Sequence, residues 1–214
     1  MTFPVMPVVP SYIRAAPTWT YIGQNYNSAD GFPTGAQTLT AGNKVVIVAC
    51  QLAGGPAASG VTVGGVACTQ ACAISSNGQS SIWYLETTLS GSQTISGSGG
   101  SGRSILHVYE MRGYSSTTPY VTATGSASVA ASCPVDLPTS TNTTTFAAGM
   151  MGPVSVTLTA STGPALSAVI NVAVESATTH YSFVQSPTAF GSPTVYTATG
   201  GSATTYGMAL AAWR

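Results

Sequence analysis

The sequence consists of short runs rich in β-branched and aromatic residues, separated by clusters of Gly, Ser, Pro and Asn. No segment sustains the apolar i, i+3, i+4, i+7 pattern, with capping residues, that an amphipathic helix requires. The run Val154–Thr159 instead alternates apolar and polar residues with the period of two of a half-buried strand. The runs recur at the spacing expected of an antiparallel sandwich or barrel.

We therefore predict an all-β fold, with an antiparallel sandwich or barrel as its architecture. The predicted strands are 19–24, 44–52, 60–69, 80–88, 92–97, 103–112, 119–124, 143–151, 153–160, 167–176, 180–185, 194–199 and 204–213.

An extended Pro-rich arm is predicted before the sandwich, over residues 1–18. Prolines stand at positions 4, 7, 10 and 17, and proline fixes φ and lacks the amide donor that a central strand needs. The β-sandwich domain is predicted over 19–214. A stretch rich in Ser, Ala and Thr at 125–142 is a candidate sub-boundary, so one lobe and two lobes both remain open. We interpret the Gly-rich segment 97–102 as a hairpin loop within the domain.

Charge is scarce, with five basic and five acidic residues in 214. A nucleic-acid partner is not expected, because binding several phosphates requires clustered Lys and Arg. Membrane insertion is not expected either, since the apolar runs are shorter than the roughly 20 residues that span a bilayer. The N-terminus lacks the basic and unbroken apolar regions of a signal peptide, so we expect synthesis in the cytoplasm.

Nucleophilic catalysis is weakly supported by the sequence. The residues around Ser101 lack the closing glycine of a nucleophile elbow. His107 stands in the middle of a predicted strand, where it is either a core residue or a partner on one face, and His180 stands at a predicted strand start. A Ser-His-Asp hydrolase is therefore not expected.

Two carboxylates offer a sharper catalytic hypothesis. Glu86 and Glu110 each end an aromatic-rich predicted strand, and glycosidases place two acidic residues across the scissile bond. The alternative is that these carboxylates pair with Arg103 or Arg112 at strand ends. We favour the alternative and predict no catalytic residues and no enzymatic activity.

Metal ions and cofactors are not expected. Asp30 and Asp136 are the only aspartates, and neither lies in an acidic loop that could bind calcium. The four cysteines are too sparse for a disulfide framework, and we expect buried thiols, with one disulfide or a metal as alternatives. They are Cys50, Cys68, Cys72 and Cys133.

The neutral Ser-, Thr- and Gly-rich composition favours close packing of like subunits, because it lowers electrostatic repulsion. Aromatic residues supply contacts that lose little entropy on binding. Trp213 is either part of a final strand that closes the sheet or an interface residue. The arm anchors that we expect on a neighbouring subunit are Phe3, Val5, Tyr12 and Trp19. Candidate glycan contacts in loops are Tyr26, Tyr114 and Tyr120.

Four segments carry a resemblance to a known group of proteins: Gly42–Val48, Val61–Ala67, Ser81–Tyr84 and Val108–Gly113. Their succession is similar to that in a group of tailed-bacteriophage virion proteins. In that group a G-(D/N)-x-hydrophobic strand precedes a VTVGG-x-A hairpin, an S-x-W-Y strand and a V-x-E-x-x-G strand. The resemblance spans about residues 37–118, and it carries strands and turns but no active-site residue.

The resemblance implies an antiparallel β-sandwich of jelly-roll-like type. It also implies a non-enzymatic structural protein of a tailed phage, located in the virion and made in the host cytoplasm. Such proteins serve as capsid decoration or cement proteins, head fibres or spikes. The expected partners are the major capsid protein, other virion proteins and further copies of the chain. Closed symmetry is expected for such parts, and the usual architecture of capsid accessory proteins implies a trimer. The alternative is a carbohydrate-binding receptor-recognition module of the tail tip or fibre, with a host-surface glycan as partner. A bacterial surface adhesin is less favoured because a signal peptide is missing.

Overall fold

Every regular element in the described part of the chain is a β-strand. The computed structural model describes residues 15–28, 31–53, 57–75, 79–99, 102–137, 143–151, 156–161, 165–174, 178–185 and 194–214. Every strand pairing in these ranges is antiparallel, and no described helix could cross a membrane. The predicted all-β class is confirmed.

The strands are β1 (Thr18–Asn27), β2 (Thr34–Leu39), β3 (Lys44–Ala53), β4 (Gly60–Val63), β5 (Val66–Ala67), β6 (Thr69–Ile74), β7 (Gln79–Thr87), β8 (Gly91–Ser98), β9 (Arg103–Arg112), β10 (Val121–Leu137), β11 (Thr144–Met151), β12 (Thr157–Ala160), β13 (Ser167–Val174), β14 (Thr178–Gln185) and β15 (Thr194–Trp213).

The first nine strands form two facing sheets with the strand order of a jelly roll. Sheet A has the order β1-β9-β3-β7-β6, and sheet B has the order β2-β8-β4-β5. The chain passes from one sheet to the other at most connections, as in the paired Greek keys of that architecture. The predicted jelly-roll-like sandwich is therefore present in residues 18–112, which we call the N-terminal half.

The Gly-rich segment 97–102 is not a hairpin loop, so that interpretation was wrong. It joins β8 of sheet B to β9 of sheet A, and these strands do not pair with each other. Gly97 also packs closely on Phe32, because a Cβ at this position would lie 2.7 Å from Phe32 Cγ. The missing side chain at Gly97 thus allows this close contact at the point where the chain leaves sheet B for sheet A.

The C-terminal half, residues 121–213, forms sheet C with the order β10-β15-β11-β14-β13, and β12 pairs with β15. Strand β15 runs without a break over the two strands predicted at 194–199 and 204–213. Its first part pairs with β12 and its second part with β11. Residues 121–137 form one strand, so the predicted sub-boundary at 125–142 lies largely inside β10.

Sheet A is the central layer and is buried on both faces. Residues Val45–Ala49 of β3 are fully buried and alternate between two cores. Val46 and Val48 pack toward sheet B, whereas Val45 and Ile47 pack toward sheet C. Burial on both faces explains why β3 reads as a continuous apolar run rather than an alternating one.

A third core lies within the C-terminal half, where the first part of β15 and β12 pack onto the rest of sheet C. Tyr196 and Ala198 contribute from β15, and Tyr181 and Phe183 from β14. The interface between sheets A and C is therefore the contact between the two halves of the chain.

Candidate functional site

The predicted arm anchors fall into two groups. Phe3, Val5 and Tyr12 lie outside the described residues. Trp19 lies in β1 and packs edge-on against Tyr109 of its own core, with the ring centroids 6.5 Å apart. Trp19 is half-buried and contacts its own core, and its role as an anchor on a neighbouring subunit stays a prediction.

The folded part of the chain extends N-terminal to the predicted domain boundary at residue 19. Pro17 is buried, and its carbonyl accepts a hydrogen bond of 3.1 Å from Thr144 Oγ1 of β11. Residues 17 and 18, which we assigned to the arm, thus belong to the folded part.

Trp213 is a core residue, as expected of a strand that closes a sheet. Its side chain is fully buried, and its indole Nε1 donates a hydrogen bond of 2.8 Å to the Thr117 carbonyl. Its ring packs edge-on against Tyr84 and Phe146 at centroid distances of 5.9 and 5.7 Å. The side chain offers no surface for the interface role that we considered.

The three candidate glycan contacts do not form one site. Tyr26 pairs with Ile105 near the start of β9, whereas Tyr114 and Tyr120 lie in the loop 113–120 that follows its end. These positions are about 20 Å apart along the strand direction. Tyr26 and Tyr120 are exposed, and Tyr114 is half-buried.

Tyr114 and Tyr120 meet charged groups at the end of sheet A. The Tyr114 hydroxyl donates to Glu86 Oε1 at 3.0 Å, and burial, followed by Glu86, raises the pKa of this tyrosine. The Arg214 guanidinium lies 3.9 Å from the Tyr120 ring centroid, a cation–π contact. The amide of Ser115 donates to the Arg214 carbonyl at 2.6 Å, which holds the C-terminus against this loop.

The carboxylates Glu86 and Glu110 point to opposite faces of sheet A. Glu86 pairs with Val45, which faces sheet C, and Glu110 pairs with Val46, which faces sheet B. Paired residues in antiparallel strands share a face. The two carboxylates therefore cannot flank one glycosidic bond, and the glycosidase hypothesis loses its geometric basis.

Glu110 instead belongs to a buried charge cluster at the turn between β2 and β3. Its Oε1 accepts a hydrogen bond of 2.8 Å from the Thr40 amide, and the Lys44 ammonium lies 4.0 Å away. Arg112 lies 3.9 Å from Oε2, as we expected for this pair. Burial lowers the pKa of Lys44, an effect that Glu110 opposes. The ammonium also donates to the Thr40 and Leu89 carbonyls at 2.6 and 2.5 Å.

His107 and His180 are buried core residues on facing sheets. Neither ring of these two residues has a hydrogen-bond partner among the described residues, and Ser101 lies outside them. No catalytic serine is therefore placed beside either imidazole in the described ranges. Sequence reasoning left His107 open between the core and one face, and did not reveal that the two histidines occupy the same interface.

Three of the four cysteines are free thiols, in line with the expectation of buried thiols. Cys50 is buried, and Cys68 and Cys72 are half-buried. Burial raises the pKa of Cys68 and of Cys72 to about 12. The side chain of Cys133 is not described. No group of three His, Cys, Asp or Glu side chains that could bind a metal occurs within the described ranges.

Sheet B presents an uncharged face to solvent. None of its strands contains a charged residue, and the outward positions of β2, β8 and β4 carry mostly hydroxyl side chains. They are Thr34, Thr38, Ser92, Thr94, Ser96 and Thr62. The burial of Lys44 and Glu110 also removes two of the ten formal charges from the surface.

No protein-family model, curated protein sequence or solved structure matches this chain.

Proposed function

We propose that the protein is a non-enzymatic structural component of a tailed-phage particle. It attaches to the capsid as a decoration or cement protein, a head fibre or a spike, through burial of protein surface. The observation that carries this proposal is the uncharged, hydroxyl-lined outer face of sheet B. Such a face can approach a neighbouring subunit without desolvating a charge or bringing like charges together.

The layered architecture is suited to this role. Sheet A is buried on both faces, and three separate cores fix the positions of the sheets. A rigid module loses little conformational entropy when it associates, which leaves more of the contact free energy for binding. Viral capsid domains use jelly rolls, as do lectins. This likeness is one of fold alone, which does not determine function.

Quantitative mass spectrometry of sedimented particles from the source lysate tests this proposal. A copy number close to that of the shell protein would support a decoration or cement role, and a few copies per particle would support a spike or fibre. If the protein stayed wholly in the soluble fraction, the structural proposal would be wrong.

A charge-insertion pair tests whether sheet B provides the contact. Thr94→Glu introduces a carboxylate on the exposed face of sheet B, and Thr157→Glu introduces the same group on the exposed face of β12. We expect Thr94→Glu to weaken binding to particles that lack the protein, and Thr157→Glu to leave binding unchanged. Equal binding of both variants would remove sheet B from the contact.

The second candidate function is glycan binding at the loop 113–120. It is favoured by the proximity of Tyr114 to the Glu86 carboxylate and of Tyr120 to the Arg214 guanidinium. Aromatic rings beside polar groups can stack on and hydrogen-bond to a sugar. A glycan titration of the wild type and of Tyr120→Ala tests it, with Tyr26→Ala as the matched control at the other end of sheet A. Binding that is absent, or equally affected by both variants, would refute it.

A further inference from the structure

The interface between the two halves contains a pair of buried histidines, one from each half. His107 lies in β9 of sheet A and His180 in β14 of sheet C, and both side chains are fully buried. They are the only two histidines in the chain. Any imidazole titration of this protein therefore reports on this one interface.

The position of the pair follows from a neighbouring contact. The Tyr109 hydroxyl lies 2.5 Å from Ser182 Oγ, which brings β9 against β14. His107 and His180 each stand two residues before these partners and so share their faces. The charge of His180 also contributes to the lowered pKa of His107, after burial.

The described surroundings of the two rings supply no counter-ion for a protonated imidazole. Neither ring has a hydrogen-bond partner among the described residues, and the amide group of Gln51 on β3 also lacks one there. The described titratable neighbours on this face are Tyr21 and Tyr109, and the Tyr21 ring centroid is 6.4 Å from that of His107. Both are neutral in acid, and burial raises the pKa of each.

Within the described residues, the other elements that pack against this interface add no negative charge near the pair. Strand β13 contains no titratable residue. Cys72 lies on β6 at the far edge of sheet A, and Glu86 lies toward the opposite end of the sheet, beside Tyr114. The described side chains from β3, β7, β11 and β15 on this face, near the pair, are Ala49, Gln51, Ser80, Ile82, Ala148 and Ala209.

We propose that His107 and His180 make this interface acid-sensitive, so that the two halves stay together at neutral pH and separate when either imidazole is protonated. The folded interface favours the neutral rings, because each cation would be buried with no counter-ion among the described residues. In the separated state both rings reach water and bind protons normally. Acid therefore favours separation.

The direction of the pH dependence follows from linkage. Burial lowers the pKa of His107 to about 3, with a contribution from His180, and burial lowers that of His180 to about 4. An exposed imidazole has a pKa of about 6.5. The stabilisation is complete above about pH 6.5 and is lost as the pH falls toward 4. The opening equilibrium constant should rise by about tenfold per pH unit for each histidine.

Hydrogen exchange with mass spectrometry between pH 7 and pH 4.5 tests this acid-sensitive interface. The exchange rates are corrected for the intrinsic pH dependence of exchange. We expect lowered protection in β9 and β14 of the wild type at pH 4.5, while β4 and β8 of sheet B stay protected. The variant His107→Leu/His180→Leu should show a much smaller change in protection between the two pH values. This variant keeps all the carboxylates of the wild type, so it controls for their effect. An equal change in both proteins, or loss of protection throughout the wild type at once, would overturn the proposal.

A direct titration of the wild-type histidines by NMR keeps the proposal testable even if the double variant does not fold. We expect no imidazole titration in the folded protein at pH values near 6.5. A native pKa close to 6.5 for either histidine would show that its charged form is tolerated in the folded interface and would also overturn the proposal.

Discussion

Tyr109 of sheet A and Ser182 of sheet C join the two halves of the protein through a hydrogen bond of 2.5 Å between their hydroxyl groups. Both side chains are fully buried. The Tyr109 ring also contacts Tyr21 and Phe146, with centroid distances of 5.2 and 5.5 Å. The bond is thus a polar contact inside an aromatic cluster, where an unpaired hydroxyl would be poorly solvated.

Tyr109→Phe should destabilise the protein by about 1–3 kcal/mol, because it leaves the Ser182 hydroxyl buried without its partner. Urea unfolding at neutral pH measures the change. The double variant Tyr109→Phe/Ser182→Ala should lose less stability than the sum of the two single variants, since the removal of both hydroxyls leaves neither unpaired. Strictly additive losses would show that the bond contributes nothing by itself.

Glu110→Gln should destabilise the protein by about 3 kcal/mol, because the buried Lys44 ammonium then lacks its anionic neighbour. The matched control is Glu86→Gln, which makes the same chemical change on an exposed side chain and should stay within about 0.5 kcal/mol. Thermal and urea unfolding of both variants provide the comparison. Similar stability of the two variants would contradict the assignment of Glu110 to a buried charge cluster.

Gly149→Ala should destabilise the C-terminal half by about 1–3 kcal/mol, because the added methyl group would overpack the core. A Cβ at position 149 would lie 1.8 Å from Cζ of Tyr181, a fully buried ring in the third core. Gly60→Ala is the control, since its Cβ would meet the Ser98 hydroxyl at 2.9 Å, and Ser98 is exposed and can rotate away. Equal unfolding midpoints for the two variants would refute this packing argument.

Trp213→Ala should cost about 3–5 kcal/mol, as expected for the removal of a large aromatic side chain from a core. Arg214→Ala, one residue further on, should change the free energy of unfolding far less, because that side chain is exposed. Calorimetry of both variants distinguishes a core role for Trp213 from the interface role that the sequence left open. A Trp213→Ala variant as stable as the wild type would contradict the core assignment.

Strands with a strong apolar signal could be predicted from the sequence. The apolar run of β3 and the aromatic-rich β7 and β9 were all predicted close to their observed bounds. Strand β2 was missed because Leu39 is its only fully buried apolar side chain and its other positions are small or polar. Its extended conformation depends on pairing with β8, a contact between residues far apart in the chain.

The candidate sites were less predictable than the strands. The sequence shows that Glu86 and Glu110 stand toward the ends of two strands. The face of the sheet that each carboxylate occupies depends on the register of its strand with β3. A shift of one residue in register would move either carboxylate to the other face. The placement of His107 and His180 at one interface depends on how sheet C packs onto sheet A.

The sequence by itself determined the all-β class and the scarcity of charge, because residue type and period-two patterning are local properties. Only the tertiary structure decided which side chains meet. Register sets the face of each residue, and sheet packing sets its neighbours. The placement of the two glutamates on opposite faces and of the two histidines at one interface therefore results from contacts between distant segments.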